Sequence, residues 1–221
     1  MIRRGFRSSS VGQPTEKPHP KLCALLQMGD GINEPQGLGR YAPSDMPGTV
    51  VEGAFPGSYA RRYSNPGGYV QLGYGTYRTY PWTAMFFIRP CVSTFEAFLF
   101  LSSNPTGRSS IRVSNTAIRF VRYDGSITYA NASVTLNANT WYHVAISCGS
   151  SAGQWKIWLN GTQLSLTTNY SYDYLGQSGS GEYVYLVYLA DSYTVDIDHV
   201  KVYVDQLSNS EVVEEMNKKV W

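Results

Sequence analysis

Short segments in which apolar and polar residues alternate, each closed off by Gly, Pro, Asn or Asp, recur along the chain. A period of two predicts strands. The densest is Trp82-Thr-Ala-Met-Phe-Phe-Ile88. It lies between Pro81 and Pro90, and proline at both ends suits a strand and not a long helix. Trp141-Tyr-His-Val-Ala-Ile146, Tyr183-Val-Tyr-Leu-Val-Tyr-Leu189 and Val195 to Val204 predict three more. In the last of these, apolar parity slips between Ile197 and Val200, the mark of a bulge. Ile118 to Tyr123 and Ser126 to Tyr129 flank Asp124-Gly125, and Trp155 to Leu159 and Thr162 to Leu164 flank Asn160-Gly161. Both dipeptides tolerate the positive φ angles of a type I′ turn, so two hairpins are predicted. Shorter apolar pieces, Leu22 to Met28 and Thr49 to Val51, sit among turn sequences in the first third of the chain. Helix is predicted once, at the end, where Ser208-Asn-Ser-Glu211 forms a capping box before Val212, Val213 and Met216 and folds back on the strands.

Residues 1–20 depart from this pattern. They are rich in Ser, Pro, Gly and Arg, have no apolar period and end in Pro18-His19-Pro20, so they read as an extended arm. Residues 21–221 then form one domain, a size that a single large β sandwich fills. Aromatic content of 14%, with 18 tyrosines, beside only 15% charged residues fits a strand-rich and turn-rich chain. The net charge of +2 is unevenly placed: Arg3, Arg4, Arg7, Lys17 and Lys21 against Glu16 give the first 21 residues +4 and leave −2 for the rest. Such a body has no broad basic face for nucleic acid. The basic start is followed by no apolar stretch of about 7–15 residues, so no secretory signal is expected. No run approaches the roughly 20 apolar residues of a membrane span. Cys23, Cys91 and Cys148 lack metal-ligand spacing and read as buried free thiols, with at most one bridge among them.

The order of these segments resembles the laminin-G-like, concanavalin-A-like jelly-roll superfamily. Gly68-Tyr-Val-Gln-Leu72 looks like its early strand, and Trp82 to Pro90 like its proline-ended strand. Asn139-Thr-Trp-Tyr-His-Val-Ala145 is the most specific element, followed by Trp155-Lys-Ile-Trp-Leu-Asn-Gly161. Ile197 to Tyr203 and Leu207 to Val212 look like the closing strand and helix. The resemblance spans about residues 68–217 and implies two stacked antiparallel sheets, an all-β sandwich with a short C-terminal helix. It does not imply one activity, because the superfamily holds lectins, adhesion modules, glycosidases and virion proteins.

Calcium-binding relatives often carry paired acidic residues before the early strand, where this chain has Pro66-Gly67-Gly68, so no metal and no cofactor is expected. Asp196 and Asp198 alternate on a strand and share one face; a solvated face is the simpler reading, a weak cation site the other. A glycosidase needs two carboxylates about 5–9.5 Å apart, which alternate strand positions allow. The compact acidic motif of glucanases on this fold is absent, however, and no nucleophile elbow is present. His143 and His199 lie in predicted strands as structural or surface residues. The chain is therefore expected not to be an enzyme.

Asn169-Tyr-Ser-Tyr-Asp-Tyr174 places three tyrosines on alternate positions. Tyr170, Tyr172 and Tyr174 offer flat faces for stacking on sugars, with Asp173 accepting hydroxyl hydrogen bonds. An edge strand with its tyrosines packed inward fits the same pattern. Asn131-Ala-Ser133, Asn160-Gly-Thr162 and Asn169-Tyr-Ser171 match the glycosylation acceptor pattern and carry little weight without an export signal. The superfamily works mostly outside cells while the chain begins without such a signal, and release by lysis reconciles the two. The leading expectation is a bacteriophage virion protein in an oligomeric assembly, a capsid decoration or fibre subunit. Its arm docks on other virion proteins through Arg3, Arg4 and Arg7, and its sandwich faces solvent. The alternative is a free, extracellular carbohydrate-binding module of lectin type whose partners are cell-surface glycans.

Overall fold

The computed structural model of the chain describes residues 22–26, 48–64, 71–72, 81–102, 109–122, 128–151, 153–169, 184–189 and 193–218. The arm of residues 1–20, the Asp124-Gly125 turn and the tyrosine segment 170–174 lie outside them. The elements in chain order begin with β1 (Leu22–Leu26), β2 (Thr49–Glu52), β3 (Tyr59–Ser64), β4 (Gln71–Leu72) and β5 (Trp82–Pro90). They continue with β6 (Glu96–Ser102), β7 (Ser109–Ser114), β8 (Ala117–Arg122), β9 (Thr128–Ser133) and β10 (Tyr142–Cys148). Last come β11 (Trp155–Leu159), β12 (Thr162–Gln163), β13 (Thr168–Asn169), β14 (Val184–Leu189), β15 (Thr194–Tyr203) and α1 (Asn209–Asn217).

Two antiparallel sheets result. The eight-stranded one runs β12-β11-β10-β5-β15-β3-β2, with β1 also paired to β15; the seven-stranded one runs β13-β9-β8-β7-β6-β14-β4. Period-two alternation lays one face of each against the other. Trp82, Phe86, Ile88, Val144, Ile146, Ile157 and Val195 from the first sheet meet Leu99, Ile111, Val113, Ile118 and Phe120 from the second. Trp155 stacks on Phe120 at 4.6 Å between ring centroids, and Trp82 meets Trp155 edge-on at 5.7 Å. This is the all-β sandwich expected, closed by one short helix.

The local devices read from sequence recur here. Asn160 and Gly161 both have positive φ, 50° and 76°, as a type I′ turn between β11 and β12 requires. In β15 the register against β5 shifts between Asp198 and Lys201, with His199 at φ 45°, so the parity slip is a bulge. Ser208 caps α1: its hydroxyl accepts from the Glu211 N–H while the Glu211 carboxylate accepts from the Ser208 N–H. Three strands were not among those predicted. β6 is a nearly unbroken apolar run, Glu-Ala-Phe-Leu-Phe-Leu-Ser, whose period does not show, while β3 and β7 dilute theirs with Arg and Ser.

The outward face of the eight-stranded sheet is sealed along most of its length. Val212 of α1, and Leu207 just before its cap, lie on Met85, Ala145, Trp158 and Tyr203. The Trp158 indole N–H donates to Asn209 Oδ1 at 2.9 Å, and Lys201 Nζ donates to the Glu215 carbonyl at 2.7 Å. Residues 53–58 cover the adjoining stretch, where Phe55 packs edge-on against Phe87 at 4.9 Å and His199 at 5.4 Å. Gly53 is required there, since a Cβ would come within 2.6 Å of Asp198 Oδ2. Consequently every residue of β10 is buried on both faces. Cys148 is a buried free thiol as expected, whereas Cys91 is only half-buried.

Candidate functional site

Asp196 and Asp198 do share one face of β15, but that face is not solvated: both are fully buried. The covering elements come from far away in sequence, and the two carboxylates are spent on them. Asp196 accepts from Arg62 through Nε at 2.8 Å and Nη2 at 3.1 Å, and from Arg89 Nε at 2.8 Å. Asp198 Oδ2 accepts from the Ala54 N–H at 2.9 Å and the Ser58 hydroxyl at 3.2 Å. Its Oδ1 takes the His199 backbone N–H at 2.8 Å and lies 2.7 Å from His199 Nδ1 without the alignment of a hydrogen bond. No group of three or more potential metal ligands assembles among the described residues.

Ser58, Asp198 and His199 resemble the parts of a nucleophilic triad but are wired differently. The carboxylate stands between the hydroxyl and the imidazole, and the single Ser58 hydroxyl proton is shared between Asp198 and the Phe55 carbonyl, not given to histidine. A general base must reach the proton it removes, which this order prevents. His143 is structural as well. It is 2% exposed, packs on Phe87 at 4.9 Å, and lends its backbone N–H to Asn160 Oδ1 at 2.8 Å. Burial, with Lys201 nearby, lowers its pKa to about 3, so it is neutral near pH 7.

The outward face of the seven-stranded sheet differs in kind. Register aligns Phe98 with Arg112, Arg112 with Arg119, Arg119 with Asn131, and Asn131 with Thr168. This is one row across β6, β7, β8, β9 and β13. At the usual strand spacing of about 4.8 Å the row is about 19 Å long. The Arg112 guanidinium lies 4.6 Å over the Phe98 ring. Glu96 Oε1 is 3.3 Å from Arg119 Nη2 and 3.7 Å from Arg112 Nη1. Asn131 donates through Nδ2 to the Thr167 hydroxyl at 2.5 Å. Two arginines directly opposite each other are a cross-strand cost that Glu96 offsets. Arg119 and Glu96 keep about a third of their side-chain surface in solvent.

Tyr170, Tyr172, Asp173 and Tyr174 lie outside the described residues, as do Arg3, Arg4 and Arg7. Thr168–Asn169, which leads into the tyrosine segment, is the edge strand beside β9, at the end of the polar row. Sequence reasoning missed the row itself. Its members are single polar residues of four separate alternating strands plus one aromatic, and each in isolation reads as ordinary surface.

Two stacked antiparallel sheets, a helix sealing one outer face and a polar row across the other define a lectin-type sandwich. The chain belongs to the concanavalin A-like lectin/glucanases superfamily, whose laminin-G-type model matches residues 64–213. No curated protein matches it by sequence. Among solved structures it is similar to the binding domain of botulinum neurotoxin DC in complex with SialylT, at 14% identity and TM-score 0.64, over 90% of this chain and 51% of that one. It is likewise similar to the binding domain of Paraclostridial Mosquitocidal Protein 1, at 14% identity and TM-score 0.57, over 76% of this chain and 45% of that one. The chain thus spans about half the length of these toxin domains. Domain 4 of AbnA, an extracellular GH43 arabinanase from Geobacillus stearothermophilus solved with arabinotriose, aligns at 17% identity and TM-score 0.59. That alignment covers 88% of this chain and 98% of the domain. Likeness at these identities concerns the fold. No helix among the described residues is long and apolar enough to cross a membrane.

Proposed function

We propose that this chain is a non-catalytic, extracellular glycan-binding module whose ligand lies along the polar row of the seven-stranded sheet. One observation carries the reading: of the two outer faces, one is covered along most of its length by α1 and residues 53–58, while the other leaves Glu96, Arg119 and Asn131 in contact with solvent. A row about 19 Å long suits an oligosaccharide better than a single ring. Planar guanidinium, amide and carboxylate groups match the paired hydroxyls of sugars, and Arg112 on Phe98 supplies a flat stacking surface. Tyr170, Tyr172, Asp173 and Tyr174, which follow β13 in sequence, are assigned to the same ligand as further contacts. Asp196 and Asp198 have no free oxygen to offer as acid or base, which supports a role in binding alone.

The arabinanase domain solved with arabinotriose, matched over almost its whole length, and the toxin binding domain solved with SialylT, matched over half of its own, support this reading over a virion subunit docked through Arg3, Arg4 and Arg7. Glycan-array binding of the full chain is the test. Arg119→Gln, Asn131→Ala and Tyr172→Ala each weaken the retained glycans by about tenfold, while deletion of residues 1–20 leaves binding unchanged. A chain that retains no glycan, or whose binding ignores all three substitutions, overturns the reading.

A further inference from the structure

A second polar cluster stands on the rim of the eight-stranded sheet, beyond residues 53–58 and α1. Register sets Arg62 on β3 and Arg89 on β5 on either side of Asp196 on β15. Trp141, the residue before β10, stands on the far side of Arg89, whose guanidinium lies 4.8 Å over its ring. The Asp196 carboxylate has no solvent contact, whereas the Arg62 and Arg89 side chains are 42% and 20% exposed. Both guanidiniums grip that carboxylate through Nε and Nη2. Besides Asp196, the Arg62 guanidinium meets the Cys91 thiol and the Arg89 guanidinium the Glu52 backbone carbonyl.

Arg62 alone completes an ion pair with Asp196 in two-pronged geometry. Arg89 therefore adds a positive charge that the triad does not neutralise. Asp198, two residues on, forms no ion pair with either arginine and is held by Ala54, Ser58 and His199. Glu52 reaches Arg89 only through its backbone carbonyl, at 3.4 Å. Burial, and then Asp196, raises the pKa of the adjacent Cys91 thiol, which keeps it protonated and neutral. A buried carboxylate behind two planar donors fixes them before any ligand arrives, so little side-chain entropy is lost on binding. Trp141 adds a flat apolar edge beside the donors.

We propose that Arg62, Arg89 and Trp141 form a binding site for a negatively charged sugar residue, its carboxylate or sulfate on the solvent-exposed parts of the two guanidiniums and its ring against the indole. This site is separate from the row on the other sheet and does not depend on it. Titration of the isotope-labelled full chain with glucuronic acid, N-acetylneuraminic acid, a glucose sulfate, inorganic sulfate and glucose tests the site. The readout is the side-chain Nε–H resonances of Arg62 and Arg89. At least one acidic sugar shifts both resonances and glucose shifts neither; the response of carboxylated against sulfated sugars identifies the anion. Arg89→Gln weakens the acidic sugar by about tenfold. Because that change also loosens a three-strand contact, Trp141→Ala serves as a second variant, leaving the ion triad intact and weakening the same sugar several-fold. An equal response to glucose, no response to any acidic sugar, inorganic sulfate binding as tightly as every acidic sugar, or a Trp141→Ala variant with unchanged affinity overturns the proposal.

Discussion

His143 links the packing of β10 to the behaviour of the protein in acid. Burial, with Lys201 beside it, sets its folded pKa at about 3, against about 6.5 in an unfolded chain. Between these values the unfolded chain takes up a proton that the folded chain refuses. Stability contributed by the neutral imidazole is complete above about pH 6.5 and falls by about 1.4 kcal/mol per pH unit on descending toward pH 3. Urea denaturation from pH 7 to pH 4 reads this slope directly. His143→Phe removes that share of the slope; the same slope in variant and parent would mean that the folded chain protonates His143. Asp196 and Asp198 mark the limit of what sequence conveys at this scale. Alternation places them on one face, but the residues that bury them lie 107 to 144 positions away. A solvated strand and a sealed one therefore look alike in the local pattern.

At the scale of elements, α1 is held by a buried ionic contact as well as by its cap and apolar face. Burial alone would raise the Glu215 pKa. The hydrogen bond from Lys218, the charge of Lys201 and the Tyr203 hydroxyl together bring it below its ordinary value. A carboxylate lowered in this way stabilises the fold above its unfolded value near 4.5 and loses that contribution as pH falls through the folded one. Glu215→Ala removes the carboxylate facing Lys201, which is 2% exposed, and is expected to cost about 3 kcal/mol in guanidinium denaturation. Lys201→Met combined with Glu215→Leu restores most of that loss, since a buried pair is often replaceable by apolar groups. A double variant no more stable than Glu215→Ala would refute this account of the helix contact. The helix, the β11–β12 turn and the bulge of β15 were legible because each is specified by a few adjacent residues. β6 was not, because its nearly unbroken apolar run hides the period of two.

For the whole molecule, the sandwich was legible through spaced segments such as Asn139 to Ala145 and Trp155 to Gly161, whose combined order is far more specific than any one of them. The sites were not. The row on the seven-stranded sheet takes one residue from each of several strands, and the rim cluster joins Arg62 to a carboxylate 134 positions later. Only strand order brings such residues together, and strand order is a property of the assembled sheets.

One pairing bears on how the protein reaches this state. β1 and β3 lie end to end along one edge of β15, with Leu22 opposite Tyr203 and Thr194 opposite Ser64. The middle of the larger sheet is therefore completed by a strand far removed in sequence from β1, β3 and β5. A chain truncated after residue 193, which lacks β15, is expected to be cleaved by protease where the 221-residue chain is resistant. Refolding from denaturant is expected on the millisecond-to-second scale of topologies dominated by distant pairings. The early strands of this sheet thus stay unpaired along that edge until β15 joins them.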